Sequence, residues 1–218
     1  MIAVGIPTFN EAQNIAELTQ KIDNFASELG LEILIINSDN SSPDNTSGIF
    51  KLVETRCRKV ALKTQGKGKG KNIKCIMEYI IRSDVDYCLF VDGDVSSLDK
   101  TWLEKHIEMA NKDFDYVVPE YARYLQEGNT TNHFVYPTLH YLTDRKSPKQ
   151  PIAGDFGVSN KLAKHFLTLH WSASNFRYGV DTFMTMYALG DSFKVGEISL
   201  NKKIHNPSFN KMIDDEFY

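Results

Sequence analysis

The chain predicts an α/β fold with a mainly parallel central sheet, and three observations carry that expectation. Short runs rich in β-branched and aromatic residues alternate with helix-period stretches from Ile2 to Val118. The spacing between successive runs leaves room for one crossover helix each, the mark of βαβ units. Each strand-like run breaks into polar residues, and in open parallel sheets the carboxyl ends of the strands share the edge where ligands collect.

Ile2 to Ile6 reads as the first buried strand, ended by Pro7, which has no N–H for a ladder. Thr8-Phe9-Asn10-Glu11 opens a helix in which Asn14, Ile15, Leu18, Ile22 and Phe25 recur at helical spacing as far as Gly30. Leu31 to Ile36 is a second strand, and the polar stretch Asn37 to Thr46 leads to a short helix starting near Asp44. Lys59 to Leu62 is a third strand, followed by a Gly-Lys loop and a helix from Lys71 to Arg82. Tyr87 to Val91 is the fourth, Trp102 to Asn111 a helix, and Tyr116 to Val118 a strand stopped by Pro119. Beyond Pro119 the alternation fails. Glu120 to Lys149 holds one helix, near Asn132 to Leu142, and no clear strand; Gln150 to Asn160 reads as a turn running into a helix. Gly179 to Leu189 is a helix, Ser192 to Ile198 a last strand and Asn201 to Tyr218 a polar tail.

At 218 residues the chain fits one domain with a proper core. A net charge of −3 argues against a general nucleic-acid binder. No apolar run approaches the roughly 18 residues of a membrane span. Met1 leads straight into a strand with no basic leader, and Cys57, Cys75 and Cys88 show no CxxC spacing, so a reduced cytoplasmic setting is expected.

The chemistry concentrates at Asp92-Gly93-Asp94. On an extended strand, residues two apart face the same way, so two carboxylates at a strand end repel unless a cation lies between them. Oxygen ligands favour Mg²⁺ or Mn²⁺. An ordinary acidic turn would have the same residues. Gly66-Lys67-Gly68-Lys69-Gly70-Lys71-Asn72 fits neither the Walker pattern nor the dinucleotide fingerprint, but glycines and lysines at a helix N-terminus suit anionic oxygens. A solvated basic loop is the bland alternative. Asp44 and Thr46 read as capping residues, whereas Asp39 has no helix to cap and is placed to bind a base or ribose. His205 follows the last strand in a polar segment; His106, His133, His140, His165 and His170 lie in helix-like stretches and read as packing or surface residues.

Taken in order, Ile-Pro-Thr-Phe-Asn-Glu, Ser-Asp-Asn-Ser-Ser-Pro-Asp, the Gly-Lys loop, Asp-Gly-Asp, Gln150-Pro151-Ile152-Ala153-Gly154-Asp155-Phe156, Tyr178-Gly179-Val180-Asp181-Thr182 and Lys203-Ile204-His205 resemble GT-A-fold nucleotide-sugar glycosyltransferases. The resemblance takes in family 2 enzymes and, more narrowly, the mannosylglycerate synthase and glucosyl-3-phosphoglycerate synthase group. It implies one GT-A domain over 1–218, with residues 1–119 binding the nucleotide sugar and 120–218 on the acceptor side. It implies Asp94 and His205 as ligands of Mg²⁺ or Mn²⁺, with Asp92 on the metal or the donor ribose. Pro7, Asn10, Glu11 and Asp39 then line the nucleotide pocket, Lys67 matches the loop lysine, Gly154 lies by the sugar, and Asp181 lies near the reacting centre. Two departures stand out: Ala153 occupies a position where glycine is expected, and the sequence ends soon after His205, where relatives continue with acceptor or oligomer contacts.

The expected reaction moves a hexose from a GDP-mannose or UDP-glucose type donor to a small soluble acceptor such as glycerate or phosphoglycerate. A divalent cation stabilises the leaving diphosphate as a Lewis acid. An inverting enzyme needs a carboxylate base, for which Asp155 and Asp181 are the candidates; the narrower resemblance implies retention instead. Arg123, Arg145 and Lys149 are the cations available for an anionic acceptor. Competing expectations are a lipid or polysaccharide acceptor and a catalytically silent nucleotide-sugar binder. Self-association into a homo-oligomer is compatible with the same resemblance.

Overall fold

The computed structural model describes residues 1–123, 127–144 and 146–205. Seven strands are β1 (Ile2–Thr8), β2 (Ile33–Asp39), β3 (Arg58–Lys63), β4 (Tyr87–Phe90), β5 (Tyr116–Tyr121), β6 (Phe156–Ser159) and β7 (Val195–Leu200). The helices are α1 (Ile15–Glu28), α2 (Thr46–Leu52), α3 (Lys69–Arg82), α4 (Lys100–Asn111), α5 (Tyr136–Leu142), α6 (Asn160–Thr168) and α7 (Val180–Gly190). The strands form one sheet in the order β3-β2-β1-β4-β6-β5-β7, parallel except for β6, which runs antiparallel to β4 and β5.

Period-two alternation splits the core between the two faces of the sheet. Ala3, Leu34, Ile36, Cys88 and Phe90 face α3, α6 and α7, where Ile73, Ile76, Leu162 and Phe183 are buried. Val4, Ile6, Ile33, Ile35 and Leu89 face α1, α2 and α4, where Ile15, Ile22, Phe50 and Trp102 are buried. Because β1, β2 and β4 are covered on both faces, they read as unbroken apolar runs. Fully burying each such side chain stabilises the fold by about 1.5–3 kcal/mol before conformational entropy is counted.

Several expectations need correction. β1 runs through Pro7 to Thr8; its pairing with β4 stops at Gly5 and Phe90, so beyond that point it pairs only with β2. β5 likewise continues through Pro119 to Tyr121. Tyr116 and Ala122 donate toward the β7 side, to Lys194 O and Leu200 O, which leaves the Pro119 nitrogen facing the other way. There β6 pairs only with Tyr116 and Val117, so no ladder partner is lost. Third, α3 begins at Lys69 rather than Lys71. Fourth, the stretch read as a turn running into a helix contains β6, a four-residue strand inserted between β4 and β5. Gly157 interrupts its apolar run, and Ser159 at its end caps α6 by accepting the Leu162 N–H at 3.1 Å. The helix expected near 132–142 is a π-helical turn, Thr131–Val135, running into α5. Among the described residues, no helix is long and apolar enough to cross a membrane.

Candidate active site

The carboxyl ends of β1, β2 and β4 meet the start of α3 on one edge of the sheet, and a polar network ties them together. Asn72 of α3 donates to Thr8 O at 3.0 Å and to Asn40 Oδ1 at 2.7 Å, while Asn40 donates to Gly66 O at 2.9 Å. Asp39 is buried, and its carboxylate accepts from Thr8 Oγ1 at 3.2 Å and from both the N–H (2.8 Å) and hydroxyl (2.5 Å) of Ser42. It therefore builds its own loop as well as facing the edge. Asn10 takes a left-handed conformation (φ 57°), donates its N–H to Ser42 Oγ at 2.9 Å and buries Oδ1 without a partner. Glu11 is buried, with its N–H on Thr46 Oγ1 at 2.9 Å and Oε2 accepting from Asn14 at 2.8 Å.

The Asp-Gly-Asp segment lies in the turn after β4, which ends at Phe90, so strand alternation no longer governs its side chains. Asp92 and Asp94 have separate partners. Asp92 sits between two ammonium groups, Lys69 at 2.8 Å and Lys203 at 3.1 Å. Lys69 also reaches Asp181 at 3.3 Å and Gly154 O at 3.2 Å; Lys203 also reaches Asp155 at 3.0 Å. Three carboxylates and two ammonium groups leave this cluster one negative charge in excess. Burial alone would raise the Asp92 carboxyl, but Lys69 and Lys203 hold it well below the usual carboxylate range. Lys69 and Lys203 are in turn raised, because Asp181, Asp155 and Asp92 outweigh the burial that would lower them.

Asp155 and Asp181 are placed differently. Asp155 is fully buried and accepts from Lys203, from the Asp92 N–H at 3.2 Å and from the Tyr121 hydroxyl. Asp181, in the first turn of α7, buries Oδ1 with no partner, and burial raises its carboxyl above the ordinary range despite Lys69. Gly154 has φ +89°, and a Cβ there would stand 2.2 Å from Asp92 Oδ2. Only glycine lets this turn lie against Asp92.

The Gly-Lys loop does not present its helix terminus to a ligand. Gly70 and Lys71 donate their N–H groups at 3.2 Å to Arg177 O and Phe176 O. A Cβ on Gly68 would meet Phe176 O at 2.2 Å, and one on Gly70 would meet Asn175 O at 1.9 Å. These glycines seat the 172–179 loop, so the dipole and N–H groups expected to face an anion are covered. The loop sends two of its lysines to different places. Lys67 is exposed, with its ammonium 4.9 Å from the Phe9 ring centroid, and Lys69 is the one that enters the cluster. Three successive Gly-Lys pairs look alike in sequence; the contacts with the 172–179 loop fix which one turns inward.

Asp94 Oδ1 and His205 Nδ1 stand 3.0 Å apart, joined by a bridge between Val95 and His205. Among the described residues, no three His, Cys, Asp or Glu side chains converge as a metal cage. A carboxylate oxygen and an imidazole nitrogen suit Mn²⁺ or Mg²⁺ when the remaining positions go to water and ligand oxygens. The pair fits such an ion. Asp92 has each of its oxygens on an ammonium group. Tyr121 was not named from sequence, and Gln150, Lys69 and Lys203 were named only within motifs, with no role of their own. Gln150 accepts the Tyr121 N–H at 3.2 Å and donates to Tyr121 O at 2.7 Å, and the only signal for Lys203 was its place two residues before His205. Of the acceptor-side cations, Arg123 donates to Thr131 at 3.3 Å, Lys149 is exposed and paired with Glu120 at 2.8 Å, and Arg145 lies outside the described residues. Of the histidines, His106 is buried and pushed down to about 4 by burial, consistent with packing.

A mainly parallel sheet with an Asp-Gly-Asp turn after β4 and an antiparallel strand beside it defines the GT-A class of nucleotide-diphospho-sugar transferases. The sequence of residues 3–166 matches the description "Glycosyl transferase family 2", and the chain belongs to that family. A dolichol-phosphate mannosyltransferase of Pyrococcus furiosus is 27% identical over 174 residues, covering 75% of this chain. The chain spans only 47% of that relative's length. Glucosyl-3-phosphoglycerate synthase from Mycobacterium tuberculosis, solved with Mn²⁺, UDP and phosphoglyceric acid, superposes with a TM-score of 0.73 at 18% identity. That match covers 97% of this chain and 73% of the synthase. The same enzyme with Mg²⁺ and UDP gives 0.70 at 18% identity, over 97% and 74%.

Proposed function

We propose that the chain transfers a hexose from a nucleoside-diphosphate sugar, of the UDP-glucose or GDP-mannose type, to a small soluble acceptor such as glycerate or phosphoglycerate. The observation that carries this reading is the Asp92 cluster beside the Asp94–His205 pair, at the carboxyl edge of a GT-A sheet. When bound, a Mg²⁺ or Mn²⁺ ion supplies Lewis-acid stabilisation of the leaving diphosphate. Asp94 and His205 would hold it. Pro7, Asn10, Glu11 and Asp39 form the nucleotide side, where the unpartnered Asn10 Oδ1 offers an acceptor to an N–H or hydroxyl. Lys69 brings positive charge to the sugar side, and Gly154 keeps that wall thin.

Of the two candidate carboxylates, Asp181 has an oxygen free to accept a sugar or acceptor hydroxyl, whereas each Asp155 oxygen already serves the protein. A carboxyl raised by burial takes a proton more readily, which suits a group that accepts a hydroxyl proton. Transfer with retention follows the resemblance to the synthase group; in that case Asp181 orients the hydroxyl and the leaving phosphate takes the proton. Proton NMR of the first-formed product distinguishes the two.

A second reading, a lipid-phosphate acceptor, is favoured by one observation. The stretch Thr131–Leu142 contains no Asp, Glu, Lys or Arg, and it exposes Phe134, Tyr141 and Leu142 on the acceptor side. The relative from Pyrococcus furiosus is named for such an acceptor. Calorimetry with UDP, GDP and their sugars, with and without Mn²⁺, tests the donor. Turnover with glycerate, phosphoglycerate and a short-chain polyprenyl phosphate tests the acceptor. Binding of no nucleotide under any metal condition would sink the proposal.

A further inference from the structure

We infer that Lys203, Asp155 and Tyr121 form a positioning brace that fixes Asp92 and, through the same segment, the Asp94–His205 pair. The inference rests on the transferase reading above. An ammonium group has three N–H bonds to give. Lys203 meets three acceptors: Asp92 Oδ2 at 3.1 Å, Asp155 Oδ1 at 3.0 Å and Ala153 O at 2.9 Å. Its side chain is 7% exposed, so no donor is left for a substrate. Asp155 is equally committed, with Oδ1 on Lys203 and the Asp92 N–H, and Oδ2 on the Tyr121 hydroxyl. The four residues come from the turn after β4, the end of β5, the turn before β6 and the segment after β7, so the brace ties together four separate pieces of chain.

What Lys203 fixes extends to the next two residues. The Ile204 N–H donates to Ser97 Oγ at 2.7 Å, the Ser96 N–H donates to Ile204 O at 2.9 Å, and Val95 bridges His205. Residues 203–205 thus lie in register against 95–97, with Lys203 as their buried anchor. His205 itself is 45% exposed, so its place beside Asp94 depends on that anchor. Lys69 differs, because it lies next to the carboxylate with an open oxygen, Asp181. The brace holds the site in shape and touches no substrate.

The test uses the full chain and calorimetric titration of UDP and GDP in the presence of Mn²⁺, with thermal unfolding measured in parallel. The variants are Tyr121→Phe, Lys203→Met, Lys203→Arg, Asp155→Asn and the double change Y121F/D155N. Removing the partners of a metal-binding shell commonly weakens binding about 10–100-fold. Y121F and K203M are expected to fall in that range, K203R to regain part of the loss, and the double variant to bind no worse than D155N alone. Folded variants that keep wild-type affinity would overturn the brace alone, as would losses that simply add in the double variant. A wild type that binds neither nucleotide would overturn the transferase reading and the brace with it. Should K203M fail to fold, Y121F decides, since it removes one hydroxyl and little volume.

Discussion

Asp155 and Asp181 lie in the same buried cluster, yet one is saturated and the other is not. Asp155 has a partner on each oxygen and holds pieces of the chain together; Asp181 keeps Oδ1 buried and open, at the start of a helix that faces the site. The difference is one of accounting for lone pairs. A buried carboxylate whose acceptors are all used stabilises structure, whereas one left short has a place for something that arrives later.

The largest effect that sharpens this contrast is expected at Asp181. Asp181→Asn should lower kcat about 10²–10⁴-fold if the carboxylate takes the hydroxyl proton, with nucleotide affinity near wild type by calorimetry. Its stability should move the other way. The folded-state carboxyl is raised, so folding gains from protonation as pH falls and loses as pH rises through the folded value. At neutral pH the Asn variant should therefore melt no lower than wild type, and the wild type should gain on it as the pH is lowered toward the ordinary carboxylate range. A D181N protein that melts well below wild type at pH 7 would erase the contrast.

Next comes Asp155→Asn, which leaves Lys203 and Tyr121 with a weaker partner. Breaking one side of a buried pair costs about 3–5 kcal/mol, to be read as a loss in urea unfolding. Gly154→Ala should follow, because φ +89° and the Asp92 carboxylate both oppose a Cβ. Strain of about 1–3 kcal/mol is expected, with weaker donor binding. The smallest effect separates the two loop lysines. Lys69→Met should cost about tenfold or more in donor turnover, as expected when one partner of a buried charge-assisted contact is lost, while Lys67→Met should stay within about threefold, as for an exposed charge.

The amino-terminal half was legible because its physics is local. β1, β2 and β4 are buried on both faces, so Ile2 to Ile6 and Tyr87 to Val91 announce themselves by composition alone. The cluster of polar strand ends followed from topology. The rest depends on contacts between distant residues. β6 is four residues long and carries Gly157, and its pairing partners lie about 40 and 70 residues away, where periodicity has no reach. The Gly-Lys loop is a second case: Gly68 and Gly70 lie against carbonyls of residues 176 and 175, contacts that no local pattern announces. Lys203 is one lysine among many until the turn after β4 is folded against it.

That last dependence bears on the order of assembly. A chain made from its amino terminus can pair β1 with β2 and β4 early, since domains begin to fold as they emerge. Asp92 then has Lys69 within reach, but its second cation is encoded more than a hundred residues later, and Asp155 must be seated between. Until β7 has docked at the far edge of the sheet, Asp92 and Asp155 lack the ammonium group they share, Lys203. The Asp92 cluster is therefore complete only once nearly all of the described fold is in place.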